Sequence, residues 1–464
     1  SVLTLLAAVY RADLELHSRC PPLNALMHHA AERQPESATF VPLLDLYKSL
    51  ATGPRGASGI FAKLLNPSPS VVGGTPPSWS GLYAALWEYT SLFHREEIPA
   101  MKDDEATTLA AYLELLAHVL ENGTPGEVPQ WLSQLQSLDL QMISQPQHRS
   151  HARDNGFQPL FPLFSLQQQP IPCRLKGALL TAITAFAPKT GSQLAEGVWR
   201  FLQSSRLLAP DFPAAAGDFP GGRAEARVAI DIRYQLAEVE ARAEEYDSTL
   251  AFLKLLNRLA QVCEPFRQHM PPYVAFVREA VLAPLMDRGY KSQQQKWELA
   301  VECIRFLQRS MAFEGGRVDA VTHSARGRGA ASVPELQTLA DLLGRGPAAR
   351  AVMAIVGLGA EYLAREKHEG TSAHTAEVAV ETALAMLLEV FQIDEEAARR
   401  LNRLGASDAG FRTAERLFRN QETWAVMGYV RYSLSPSLQV LALQVAQVLE
   451  ARVPELVSTL TSPP

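Results

Sequence analysis

Apolar side chains recur at spacings of three and four in segment after segment of this chain, and no stretch shows a defensible alternation at a spacing of two. That regularity constrains the fold more than any motif does. A period near 3.6 lines apolar residues along one face of a helix, whereas a half-buried strand needs a period of two. Candidate helices fall at 2–18, 22–33, 39–51, 57–65, 79–95, 104–120, 172–187, 192–207, 224–246, 248–263, 272–286, 291–313, 347–366, 374–392, 409–419 and 435–451. Between them lie helix-stopping or flexible stretches such as TGPRG (52–56), NPSPSVVGGTPP (66–77), NGTPGEVP (122–129), PDFPAAAGDFPGG (210–222) and GRVDAVTHSARGRGAAS (316–332). The pattern predicts an all-α fold of antiparallel helices. Two distant helices also begin alike: PCRLKGALLTAITAF from Pro172 and PSLQVLALQVAQVL from Pro436 each carry Ala, Leu and Ala six, seven and ten residues on. Proline in the first turn followed by a Leu/Ala face suits the units of a helical repeat array, which bury their faces against neighbours.

At 464 residues and 47% hydrophobic content, the chain has ample material for a core. Charged residues make up 20%, nearly balanced at net −6, with no long basic block, which argues against phosphate-dominated nucleic-acid binding. Cys20, Cys173, Cys263 and Cys303 lie far apart with no CxxC pair, a pattern that fits neither a zinc site nor a disulfide framework and suits a reducing compartment. The apolar start SVLTLLAAVY meets Arg11 and Asp13 at once, too soon for a bilayer-spanning helix. With no initiator methionine, the expectation is an interior fragment of a longer chain.

Catalytic signatures are missing. There is no GxSxG, HExxH or GxxxxGK[ST]. TGPRGASG (52–59) is glycine-rich before a helix but lacks the lysine and strand of a phosphate loop, so an interhelical turn is expected. His28 and His29 with Glu32 could be imagined as metal ligands, and ARGRGA (325–330) as an RNA contact, but a solvated face and a flexible loop account for them. EVEARAEEY (238–246) has the pattern of an exposed charged helix surface, with Arg242 four residues after Glu238. The stretch 224–263 is too long for one ordinary helix, so two are expected, with Asp247 or Ser248 capping the second. No enzyme activity, metal or cofactor is expected.

Several long blocks taken together resemble one family. TFVPLLDLYKSLATGPRGASGIFAKLL (39–65), PPSWSGLYAALWEYTSLFHREEIP (76–99), GVWRFLQSSRLL (197–208), AIDIRYQLAEVEARAEEYDSTLAFLKLLNRL (229–259) and PPYVAFVREAVLAPLMDRGYKSQQQKWELAVECIRFLQRSM (271–311) look like the large adaptor scaffold nucleoporins of the nuclear pore inner ring, the nucleoporin 192 / nucleoporin 205 family, in that family's order. Residues 411–452 are a looser match, and 121–158 and 313–372 agree least. The resemblance implies a right-handed superhelical α-solenoid of HEAT/ARM-like helix pairs, continuous over 1–464, residing at the nuclear envelope in the nuclear pore complex. Its partners would be linker nucleoporins, held through short linear motifs in grooves between helices, and other inner-ring scaffold nucleoporins, with no direct nucleic-acid contact or membrane insertion. The alternatives are a karyopherin-type soluble transport receptor and the sister adaptor family, nucleoporin 188.

PPSWSGLYAALWEYTSLF (76–93) then raises the question of what its aromatics face. Ser78 is a good N-cap, and Trp79, Tyr83 and Trp87 repeat every four residues beside a row of Leu82, Leu86, Tyr89 and Phe93. This apolar face is wider than one neighbouring helix covers, so the helix is either packed from two sides or keeps an aromatic edge for a partner. Core packing is the ordinary role for any one of these rings. As candidate anchors for a bound peptide the sequence offers Trp79, in the first turn beside a Gly/Pro-rich loop, together with Tyr83, Trp87 and Phe313. Phe313 is expected at a helix end stopped by Gly315 and Gly316, while Trp297 continues a helix face with Ala300, Val301, Ile304 and Leu307 and belongs to the core.

Overall fold

The computed structural model describes residues 2–12, 37–67, 77–95, 100–143, 161–187, 193–205, 207–208, 231–324, 346–369, 373–403, 417–418 and 420–455. Every regular element among them is helical. The chain forms two compact units, residues 1–240 with 246–266, and residues 241–245 with 267–464.

The first unit contains α1 (Val2–Ala12), α2 (Ser37–Leu50), α3 (Gly53–Leu65), α4 (Trp79–His94), α5 (Asp103–Asn122), α6 (Val128–Ile143), α7 (Phe161–Gln167), α8 (Cys173–Ala185), α9 (Gln193–Ser205), α10 (Ile232–Tyr234, continuing as a π-helix Gln235–Glu240) and α11 (Asp247–Val262). One row runs through it: α1 packs on α2, α2 on α5, α5 on α8 and α8 on α11. Of the remaining helices, α4 packs on α6 and α7, α7 and α9 pack on each other, and α3 packs chiefly on α5. The row is tight because small residues let backbones approach. A Cβ on Gly177 of α8 would come within 2.8 Å of the Asp247 carbonyl oxygen at the start of α11.

Only Ala51 and Thr52 form the corner between α2 and α3; the rest of TGPRGASG, expected as an interhelical turn before a helix from residue 57, is instead the first two turns of α3, which begins at Gly53. Gly53 takes φ +72°, a left-handed conformation that suits glycine, and Pro54 follows inside the first turn. A Cβ on Gly56 would come within 2.2 Å of the Leu50 carbonyl oxygen, so this glycine is fixed by the closeness of the two helices. Helices α6 and α7 of this unit, and a helix over Asn420–Val430 in the second unit where 409–419 was expected, escaped the sequence reading. Val128, Trp131, Leu132 and Leu135 of α6 are buried at helical spacing, and short α7 buries Leu163, Phe164 and Leu166.

The second unit contains α12 (Pro271–Ala275, continuing as a π-helix Phe276–Leu282), α13 (Gln293–Ser324), α14 (Pro347–Val356), α15 (Ala360–Glu369), α16 (Ala373–Arg403), α17 (Asn420–Val430) and α18 (Pro436–Arg452). Its centre is the contact of α13 with α16, whose buried residues include Trp297, Ala300, Ile304 and Leu307 on the first helix and Ala383, Leu384 and Leu387 on the second. Val301 is buried too, so the core role expected of Trp297 and its row is realised. One helix was expected over 347–366, and the structure has two. Gly359, at φ +86°, turns the chain, and the Tyr429 hydroxyl holds the corner by donating to the Val356 carbonyl at 2.9 Å and accepting from the Gly359 amide at 2.8 Å.

Helix α13 does not stop at Gly315 and Gly316 but continues to Ser324, so the helix end expected beside Phe313 is corrected. Each glycine inside a helix costs only about 1 kcal/mol relative to alanine, so the pair, at about 2 kcal/mol, need not end it. The Phe313 side chain lies outside the described residues, as do His28, His29, Glu32 and the ARGRGA segment. The two helices with similar starts also diverge in environment. Leu179 is buried in α8, whereas its counterpart Leu443 in α18 is 48% exposed.

Candidate functional site: a groove on helix α4

Helix α4 starts as its sequence dictates. Ser78 is extended, its side chain accepts from the Gly81 amide at 3.1 Å, and its carbonyl accepts from the Tyr112 hydroxyl at 2.5 Å. The aromatic face is then covered from several sides. Trp79 has 0% of its surface exposed, and its indole N–H donates to the Phe61 carbonyl of α3 at 3.1 Å. Phe61 in turn stacks on Trp131 of α6 with centroids 4.7 Å apart. Trp87 stacks on Phe161 at 5.6 Å and donates its indole N–H to Asp139 of α6 at 2.6 Å. Tyr83 is equally buried. The accessibility expected of Trp79 in the first turn is therefore not what the structure shows. Its first-turn position is closed by Phe61 and Tyr112, whose rings lie 5.8 and 6.2 Å from it.

Asp139 is the electrostatic cost of this packing. It is fully buried, one carboxylate oxygen holds the Trp87 N–H, and the other has no hydrogen-bond partner among the described residues. Burial among apolar rings disfavours the charged form and pushes its pKa up to about 7, an effect that the single indole bond only partly offsets. Its charge adds to the burial that raises the Tyr83 phenol well above the usual range.

The opposite side of α4 is different. Ser80, Gly81, Ala84 and Ala85 are small, and with Phe40 of α2 and Leu109 and Tyr112 of α5 they line a groove of about 600 Å3. Its floor is mostly apolar. Tyr89 stands at one side, half-exposed, with its hydroxyl hydrogen-bonded to Glu105, and Asp104 and Thr108 complete that wall. The width of the apolar face is thereby explained: α4 is packed on its tryptophan side, and of its aromatic row Tyr89 is the ring that reaches a concave surface. The sequence reading grouped Tyr89 with the core row and passed over the small residues. Their i, i+4 spacing, Ser80 with Ala84 and Gly81 with Ala85, was the available signal.

EVEARAEEY is exposed at Glu238, Arg242, Glu244 and Glu245, as a charged outer surface requires, but a second buried carboxylate corrects that reading at Glu240. Glu240 is fully buried, and its carboxylate accepts from the Ser248 amide at 2.7 Å, the Ser248 hydroxyl at 2.9 Å, the Thr249 amide at 3.3 Å and the Thr249 hydroxyl. The break between helices falls at 244–246 as expected, with Glu244 at φ +58°, but the N-cap residue is Tyr246 and the capping oxygens come from the previous helix. The π-helical turn Gln235–Glu240 is where that carboxylate arises. Burial raises the Glu240 pKa against the pull of its four hydrogen bonds. Nearby Lys176 is lowered to about 8, chiefly by burial, although Cys173 and Glu240 both act to raise it.

Among the described residues no group of three His, Cys, Asp or Glu side chains could hold a metal, and no helix is long and apolar enough to cross a membrane. The geometry offers a concave apolar surface with an acidic edge.

Comparison with known proteins sets this geometry in context. A family profile described as the nuclear pore complex scaffold, nucleoporins 186/192/205, matches residues 23–314, which include α2 to α5 and therefore the whole groove. The chain is 25% identical over 458 residues to the nuclear pore complex protein NUP205 of Arabidopsis thaliana, an alignment that covers 94% of this chain and 22% of that protein. It is 26% identical over 293 residues to Nup205 of Homo sapiens, covering 56% of this chain and 13% of that protein. The chain thus spans a small part of the length of the relatives it matches.

Proposed function

The chain belongs to the nuclear pore complex scaffold family of nucleoporins 186/192/205, and from that membership we propose that it serves as a structural adaptor of the pore's inner ring, not as an enzyme. In this role it resides in the nuclear pore complex at the nuclear envelope and supports nucleocytoplasmic transport by holding other nucleoporins in place. Its helices stack as HEAT/ARM-like pairs of an α-solenoid. Linker nucleoporins bind it through short linear segments laid into interhelical grooves, and other inner-ring scaffold nucleoporins dock on its surface.

The observation that supports linker binding is the groove on α4. Its floor is apolar and already formed, because the same helix is locked in place by Trp79 and Trp87 on its other side. A disordered segment loses conformational freedom on binding, and a preformed pocket for one or two apolar anchors is an efficient way to offset that loss. The partner-peptide role assigned to Trp79, Tyr83, Trp87 and Phe313 is accordingly proposed in altered form for the first three. They set the shape of the groove wall from behind, while Phe40, Tyr89, Leu109 and Tyr112 meet the peptide; Phe313 remains a candidate anchor in its own right.

Steady-state localisation tests the scaffold role against the karyopherin-type alternative. Stable residence at the nuclear rim supports the proposal, and shuttling between nucleus and cytoplasm with cargo would overturn it.

A further inference from the structure

The groove on α4 has a charge asymmetry that narrows what can occupy it. Helix α5 opens with three acids in its first turn, Asp103, Asp104 and Glu105, and the last two line the groove. The Tyr89 hydroxyl holds Glu105 at the wall, and Glu88 lies close enough for its charge to be felt at the same phenol. Asp104 is exposed, and its carboxylate has no partner among the described residues; the Thr108 hydroxyl bonds to its main-chain carbonyl instead. The cation nearest in sequence, Lys102, reaches Glu105 at 3.8 Å from an 83% exposed side chain and leaves the edge net negative. The positive end of the α5 dipole offsets part of this charge, but only over the first turn.

Opposite this edge lies an apolar floor of Phe40, Leu109 and Tyr112, reached past side chains no larger than a methyl at Gly81, Ala84 and Ala85. We propose that the groove selects a short segment that places one apolar side chain on the Phe40–Leu109–Tyr112 floor and a lysine or arginine against Asp104 and Glu105. The inference rests on the groove being a linker-binding site and specifies the chemistry of the linker. An apolar anchor supplies most of the affinity in such a pocket, whereas the cation sets direction and excludes acidic segments, since like charges at this edge are repulsive.

The test is selection of a random 12-residue peptide library on the whole 464-residue chain, with the groove-filling variant Ala84→Trp as counter-selection and melting curves to verify both folds. The expected outcome is enrichment of peptides with a large apolar residue a few positions from Lys or Arg. Their affinity should drop about three- to tenfold in the Asp104→Asn/Glu105→Gln double variant, as loss of two exposed charge pairs implies. It should also drop as salt is raised from about 50 to 300 mM, which shortens the screening length. If the enriched peptides lose binding to Ala84→Trp but are neutral or acidic, and the double variant binds them equally well, the charge assignment is overturned while the groove remains a binding site. If no enriched peptide distinguishes the wild type from Ala84→Trp, the groove itself is overturned as the site.

Discussion

Replacing Asp139 with asparagine should stabilise the protein at alkaline pH. The carboxyl is fully buried, one oxygen takes the Trp87 N–H at 2.6 Å and the other takes no hydrogen bond among the described residues. Its pKa rises from 3.8 to about 7 on folding. The folded state therefore holds a proton that the unfolded state has lost between those values, so stability declines as pH rises through this window and levels off above it. A rise of about three units at ~1.4 kcal/mol per unit sets an upper bound of ~4 kcal/mol across the whole window. Between pH 5.5 and 8.5 the same two pKa values give about 2 kcal/mol. Asparagine keeps the acceptor for Trp87 and carries no charge, so Asp139→Asn should gain about 2 kcal/mol on the wild type between those two pH values. Urea denaturation of both proteins, followed by far-UV circular dichroism at each pH, measures the difference directly. If the gap between variant and wild type is the same at pH 5.5 and 8.5, Asp139 is not the buried titrating group described.

Other substitutions probe separate links. Glu240→Ala should cost on the order of 3–5 kcal/mol, because it strands two amides and two hydroxyls at the start of α11 in a dry interior, and loss of exchange protection at the Ser248 and Thr249 amides would show that the effect is local. Trp79→Ala should lower folding stability by roughly 3–5 kcal/mol as a core truncation, visible as a sharp fall in melting temperature; an unchanged melting temperature would contradict its burial. Gly56→Ala should destabilise by about 1–3 kcal/mol because the new methyl meets the Leu50 carbonyl, whereas Gly59→Ala, with open space at its Cβ, should be neutral or slightly stabilising.

Period and punctuation were enough to locate most helices because they report local physics. The Ser78 cap, the Trp297 face and the break near Asp247 all follow from which side chains sit three, four or one residue apart. What escaped depends on distance in space. EVEARAEEY looks like a solvated charge run, and nothing in it says that Glu240 turns inward to cap a helix beginning seven residues later. Gly315 and Gly316 have the form of a stop signal, yet α13 runs on, since a glycine inside a helix costs only about 1 kcal/mol relative to alanine and does not by itself end it. On helix α4 the sequence directed attention to the large aromatics, which the structure buries, and not to the side of small residues that lines the groove. Large aromatics advertise themselves, but a concave surface is made by what is missing, here the side chains of Gly81, Ala84 and Ala85 beside Phe40 and Tyr112.

The most direct test of the account is a calorimetric titration of synthetic linker-nucleoporin segments into the wild-type chain and into Ala84→Trp, whose added ring fills the groove from an exposed position. The account predicts that at least one segment binds the wild type and loses about thirtyfold or more in affinity on the variant, the cost typical of blocking a true anchor pocket, while the melting temperature is unchanged. Equal affinity for both proteins would contradict it, and would mean that the linker is held elsewhere on the scaffold.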